Sequence, residues 1–279
     1  MNTIKSVKEV NVGINFGNEI TFVGRLAIRD RQIYFECDRT FIEGGLEISP
    51  LRLPLKPGVS NFDYHLFKGL PGVFNDSLPD GWGRCLLFDR FARSYGVLPT
   101  DITPLARLAH VGSHTLGALV FEPDYCADDT QNEINLDSLA AQAQEVLNGA
   151  SDNVLAKLIA LNGSSAGVKP KALIGVNNKR DHIIPGVHDL PQGYTPWMVK
   201  FPNNQDGLDA GAIEYVYALM AKEAGIAMPD VHLFPAQQGA GYFAIKRFDR
   251  EGKKRLPHAH SLRITAFRFL HTLPLITKI

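Results

Sequence analysis

The chain has 279 residues, 45% of them hydrophobic and 21% charged, and its 29 basic and 29 acidic side chains cancel to a formal net charge of zero. Such a composition builds one large or two ordinary globular domains with buried cores. It excludes a chain drawn as a whole to nucleic acid or to an anionic membrane, since any such contact would need a local patch. Cys37, Cys85 and Cys126 are odd in number, far apart and without metal-type pair spacing, which fits a reducing cytoplasmic compartment. No apolar core flanked by basic residues stands at the amino terminus and no run reaches membrane-spanning length, so neither a signal peptide nor an anchor is expected.

Residues 10 to 60 alternate like strands, as in Val23-Gly-Arg-Leu-Ala-Ile and Gln32-Ile-Tyr-Phe-Glu-Cys, until Pro50, Pro54 and Pro57 break the pattern. Phe74-Asn-Asp-Ser-Leu-Pro-Asp-Gly-Trp-Gly-Arg reads as a turn-rich entry into a helix running to about Tyr95, with Leu86, Leu87, Phe88 and Phe91 on its apolar side. Gly117-Ala-Leu-Val-Phe reads as a strand, and the acidic stretch from 122 to 134 as an exposed loop at a domain boundary. Two helices follow. The first carries Leu136, Leu139, Ala140, Ala143, Val146 and Leu147 at helical spacing and ends at Gly149; the second carries Val154, Leu155, Leu158, Ile159 and Leu161 up to Gly163. Ala172-Leu-Ile-Gly-Val, Pro196-Trp-Met-Val-Lys-Phe, Val231-His-Leu-Phe and Tyr242-Phe-Ala-Ile-Lys-Arg-Phe read as short strands. One helix interrupts them from about Ala210 to Ala224, with Ile213, Tyr217, Met220 and Ala224 expected on its buried side and Gly225 as its cap.

The order is a glycine-bearing loop, a strand, a strand with a lysine, a helix with a glutamate and two more strands. A small lobe that grips ATP needs that order, because a polyphosphate calls for backbone N–H groups in a flexible loop and a fixed cation. Gly163-Ser-Ser-Ala-Gly-Val-Lys-Pro-Lys supplies small residues and two lysines. Strand alternation puts Trp197, Val199 and Phe201 on one face and turns Lys200 to the other, toward a cleft. Glu214, early on the next helix, is placed to pair with Lys200, and Asp249 is expected near the ribose. Taken singly, a strand lysine is ordinarily a solvated edge residue and a helix glutamate faces solvent; only the ordered set favours a nucleotide site.

These blocks resemble the HipA family of toxin–antitoxin kinases. Asn75-Asp-Ser-Leu-Pro-Asp-Gly-Trp-Gly-Arg, Ala106-Arg-Leu-Ala-His-Val-Gly and Gly117-Ala-Leu-Val-Phe-Glu-Pro are similar to its amino-terminal signature. Ser164-Ser-Ala-Gly-Val-Lys-Pro-Lys-Ala, Trp197-Met-Val-Lys-Phe-Pro, Glu214-Tyr with Ala221-Lys-Glu-Ala-Gly-Ile, and Arg247-Phe-Asp-Arg are similar to its kinase signature, in the right order over roughly residues 15 to 262. The resemblance implies an α+β fold: a small mixed β-rich domain over 1–125, then over 126–262 a helical connector and a kinase-like small lobe, an antiparallel sheet plus a helix, truncated before the large lobe. It implies that Lys171 and Lys200 contact nucleotide phosphates beside Ala166 and Gly167. Ser164 or its neighbour Ser165 would be autophosphorylated, Glu214 would hold the strand lysine, and Lys246, Phe248 and Asp249 would lie at the adenine and ribose. A phosphoserine would bring almost two negative charges into the loop that cradles ATP and so shut the site. The resemblance further implies ATP with Mg2+ in a full-length member, a helix-turn-helix antitoxin of the HipB type that carries the complex to operator DNA, a protein substrate such as an aminoacyl-tRNA synthetase, and no membrane.

A kinase also needs an aspartate at the substrate hydroxyl and magnesium ligands. Glu251 is the last acid of the sequence, so no catalytic residue and no metal ligand is assigned and the chain is expected to be inactive in phosphoryl transfer. Residues 263–279 depart from the family pattern. Codons compatible with Ile264 to Leu275, read one base later, spell a run typical of the family, so a frameshifted tail is expected, with a divergent natural tail as the alternative. Other readings stand beside the kinase. Gly163-Ser-Ser-Ala-Gly also fits a serine-hydrolase elbow, but helical spacing precedes it and a strand pattern follows, the reverse of what an elbow needs. His258, His260 and His271 lack acids or thiols nearby and read as a turn rather than zinc ligands, and Lys253-Lys-Arg255 reads as a solvated turn. The second function class is a non-catalytic module that binds the antitoxin, mainly through residues 1 to 125.

Overall fold

The computed structural model describes residues 7–90, 93, 96–126, 133–149, 152–165 and 167–257. They divide into two compact units, one holding residues up to Leu78 with 97–126 and 254–257, the other 79–96 with 127–253. Helices and antiparallel strands are mixed in both, as an α+β chain requires.

The first unit is built on a five-stranded sheet in the order β4-β3-β2-β1-β5, from β1 (Glu9–Asn15), β2 (Ile20–Arg29), β3 (Gln32–Cys37), β4 (Val59–Asn61) and β5 (Leu119–Glu122). Alternation buries Val10, Val12 and Ile14 of β1 and Ile33 and Phe35 of β3. Phe74, in the short helix α2 (Gly72–Asn75), packs between Phe35, tilted to it, and Phe121, edge to face, with ring centroids 5.1 and 6.3 Å away. Short helix α1 (Arg39–Glu43) follows β3, with Asp38 accepting from the Phe41 amide as its cap.

One long helix from Phe74 to Tyr95 does not form. The chain makes α2, breaks at Ser77-Leu-Pro, and restarts as α3 (Gly81–Arg84), which widens into a π turn over Cys85–Arg90. Pro79 cannot donate to a helix ladder and Gly81 sits at φ +45°, which together set the break. Leu86, Leu87 and Phe88 are buried as expected, while Phe91 and Tyr95 lie outside the described residues. The sequence patterning also passes over a helix, α4 (Pro104–Val111), capped by Thr103 with proline in its first turn.

The second unit carries a five-stranded sheet, β7-β6-β8-β10-β9, from β6 (Lys171–Asn177), β7 (Ile183–Pro185), β8 (Tyr194–Lys200), β9 (Val231–Phe234) and β10 (Tyr242–Lys246). One face of it, with Ala172, Ile174, Val176, Trp197 and Val199, packs with Leu136, Leu139 and Val146 of α5 (Leu136–Leu147) and Leu158 and Leu161 of α6 (Asp152–Asn162). On α6 the side chains of Val154 and Leu155 lie outside the described residues.

Helix α7 (Ala210–Glu223) forms where expected, with Gly225 at φ +80° just beyond it, but it presents the other side to the sheet. Ile213, Tyr217 and Met220 are 56, 67 and 59% exposed and Ala224 is exposed too; Ala218 is buried against Val231 and Phe243, with Tyr215 beside it. The reason is closeness. Gly211 lies so near β10 that a Cβ there would collide with the Gly241 carbonyl oxygen. Only small residues admit such an approach, so Gly211 and Ala218 mark the packed side and the large apolar residues are left outside. Substituting Ala218→Met should overpack this contact and cost about 1–3 kcal/mol. Substituting Met220→Gln should change stability by no more than about 0.5 kcal/mol. Urea unfolding of the two variants checks both.

Candidate nucleotide site

Lys171 and Lys200 are register partners across β6 and β8. Directly opposed residues of an antiparallel pair share a face, so both lysines stand on the face opposite the α5–α6 core. Lys171 is 3% exposed and its Nζ donates to the Gly167 carbonyl at 2.9 Å. Lys200 Nζ pairs with Glu214 Oε1 from the first turns of α7 and stands 5.3 Å from the Phe243 ring centroid. The strand register thus sets Lys171 and Lys200 on one face of the sheet, and α7 brings Glu214 to Lys200. Like charges opposed across a strand pair repel. Glu214 balances the charge of Lys200.

The loop between α6 and β6 carries the serines. Ser164 and Ser165 are both buried, at 2 and 0% exposure. Ser165 Oγ donates to Asn162 Oδ1 at 2.8 Å, and Asn162 Nδ2 donates to the Gly163 carbonyl. A phosphoryl group on either serine thus requires the loop to open first. Ala166 lies outside the described residues. Gly167, at φ +101°, is the meeting point of the loop. Its carbonyl accepts from Lys171 and, at 3.0 Å, from the Trp82 amide, and its own amide donates to Asp80 Oδ1. Asp80 and Trp82 were not among the residues assigned to the site from sequence; the only signal they give there is the glycine on either side of Trp82 in Pro79-Asp-Gly-Trp-Gly.

Lys246 turns away from the two lysines, and Asp249 is held by arginines. Lys246 pairs in register with Trp197, so its side chain leaves the sheet on the opposite face from Lys200 and roughly 10 Å along the strand. Its Nζ lies 4.0 Å from Asp230 in a solvated pair. Phe248 is half-buried. Asp249 is 3% exposed. Its two oxygens accept from Arg247 Nε and Nη2 at 2.9 and 2.7 Å, and Arg250 Nη1 adds a further bond at 2.7 Å. Arg247 also donates to the Gly186 carbonyl. A ribose contact at Asp249 would have to compete with that bidentate pair, which ties the chain just after β10. Removing one partner of a buried ion pair leaves an uncompensated charge.

A cavity of about 400 Å3 opens beside Lys200 and Glu214, between α5, the start of α7 and the end of β8, but Lys171 and Gly167 do not line it. Lys169, paired with Asp206 at 3.4 Å, stands at its wall. So does Tyr242, whose hydroxyl donates to Asp137 at 2.8 Å; burial and then the Asp137 carboxylate push its acidity far down, so it stays a donor. Among the described residues no group of three or more His, Cys, Asp or Glu side chains could hold a metal ion, and no helix is long and apolar enough to cross a membrane. His258, His260, His271 and the segment 263–279 lie outside the described residues. Asp249→Ala should cost about 3–5 kcal/mol of stability, whereas Lys246→Ala should cost less than about 1 kcal/mol; thermal or urea unfolding separates them.

Two family models match the chain: the HipA N-terminal domain over residues 18–122 and the HipA-like C-terminal domain over residues 163–269. The second match runs past residue 263, where the family pattern was expected to stop. No curated protein matches the chain. Both domains in the family's own order, with the lysine–glutamate pair set in the second of them, make this chain a member of the HipA family.

Proposed function

We propose that this chain binds ATP through Lys171 and Lys200, as the small lobe of a HipA-type protein serine/threonine kinase from a toxin–antitoxin pair. The observation that carries this reading is the cross-strand register of the two lysines with Glu214 closing on the second. One buried cation on a strand and one held by a helix carboxylate form a rigid pair of point charges, which a polyphosphate satisfies better than a single anion does. Phosphoryl transfer needs in addition a carboxylate at the substrate hydroxyl and ligands for magnesium. In this reading Lys171, Lys200 and Glu214 bind and orient the nucleotide. The family implies a protein substrate in translation, such as an aminoacyl-tRNA synthetase, and a buried Ser164 or Ser165 as the target of autophosphorylation.

A second reading, a non-catalytic partner of a helix-turn-helix antitoxin and through it of operator DNA, draws on the HipA N-terminal domain match and on exposed Phe16, Ile20 and Phe22 around the β1–β2 turn. Co-purification with the antitoxin, lost in Ile20→Glu and Phe22→Glu, together with no ATP binding, would favour it. The nucleotide reading expects the reverse. Titration with a fluorescent ATP analogue should show binding that Lys200→Met and Lys171→Met each weaken by about tenfold or more. Glu214→Gln should weaken it less. Binding that is indifferent to both lysines would end this account.

A further inference from the structure

The segment 79–84 packs with the second unit although it lies 87 residues before the loop it touches. Asp80 stands at the cap position of α3, where an aspartate ordinarily accepts from its own helix's first amides. It makes no such bond. Its carboxylate reaches instead to the amide of Gly167, and the Trp82 amide donates back to the Gly167 carbonyl at 3.0 Å. Both backbone groups of the loop's last glycine are thus held by one short turn.

The turn is shaped for that approach. A Cβ on Gly81 would stand 2.6 Å from the Gly167 carbonyl oxygen, and one on Gly83 would stand 2.6 Å from Asn162 Nδ2 and 3.2 Å from the Ser165 carbonyl oxygen. Any larger residue at either place would push the loop away. The Trp82 side chain between them is 2% exposed and belongs to the core with Leu86, Leu158 and Leu161, so the turn is anchored and cannot swing freely.

We propose that Asp80 is a positioning residue that clasps the loop before β6 at Gly167, with Gly81 and Gly83 admitting the contact and Trp82 anchoring it. The clasp fixes where the Gly167 carbonyl meets Lys171 and keeps Ser164 and Ser165 inside. As to its ligand, the idea rests on the nucleotide reading above. A phosphate oxygen that accepts from the Gly167 amide takes the place of the Asp80 carboxylate, so nucleotide and clasp compete for one N–H. Asp80 therefore acts through the loop and holds no reacting atom.

Hydrogen exchange on the full chain tests this, read on peptides covering the 162–171 segment and the interiors of β6 and β8, with and without ATP. Asp80→Ala should speed exchange of the loop amides by about tenfold or more, the counterpart of losing a charge-assisted hydrogen bond. It should leave the strand interiors unchanged. Asp80→Asn keeps an acceptor oxygen and should remain close to the parent chain, while binding ATP more tightly because the competing charge is gone. Gly83→Ala should loosen the loop by collision. Loop exchange in Asp80→Ala equal to the parent's overturns the clasp, and so does equal loosening of loop and strands in all three variants. Unchanged loop exchange with ATP still bound sinks the clasp and spares the nucleotide reading. A loosened loop with no ATP bound by any variant does the opposite.

Discussion

Two lysines opposed across a strand pair set the terms for the second unit. The register of β6 against β8 places Lys171 opposite Lys200, and that pairing cannot shift, because a one-residue slip would carry Trp197 and Val199 out of the core. The hydrophobic face therefore fixes the polar one. Glu214 neutralises Lys200, and α7 can bring it there only because Gly211 and Ala218 allow close packing on β9 and β10. The cations are held by the same contacts that build the core, which is the preorganisation a phosphate site requires.

The loop before β6 is organised around Gly167 rather than around its serines. Lys171, Trp82 and Asp80 all converge on the backbone of that one residue. Ser164 and Ser165 are consequently buried, and Ser165 is tied to Asn162. Any chemistry on these serines is thereby coupled to opening of the loop. Asp80 and Trp82, far from the loop in the chain, meet it at Gly167.

The large apolar side chains of α7 face outward: Ile213, Val216, Tyr217 and Met220 make a stripe at helical spacing on the side away from the sheet. The same helix packs inward through glycine and alanine. Hydrophobicity thus marks both sides of α7, and size distinguishes them.

The sequence by itself determined the periodicities and the chemistry of the blocks. The strands with Ile33 and Phe35, Trp197 and Val199, the helices α5 and α7, and the pairing of Lys200 with Glu214 were legible because alternation and helical spacing are local properties of neighbouring residues. Only the tertiary structure decided which side of α7 is buried, since Ile213 and Ala218 lie on different sides and steric closeness, not hydropathy, chose between them. It alone showed Asp249 held by Arg247 and Arg250, because neighbours one and two residues away could as well have faced a ligand. It alone joined Asp80 to Gly167, because a bond between residues so far apart leaves no periodic trace. The chain records what each segment is able to do next to its neighbours, and long-range packing selects which of those possibilities is used.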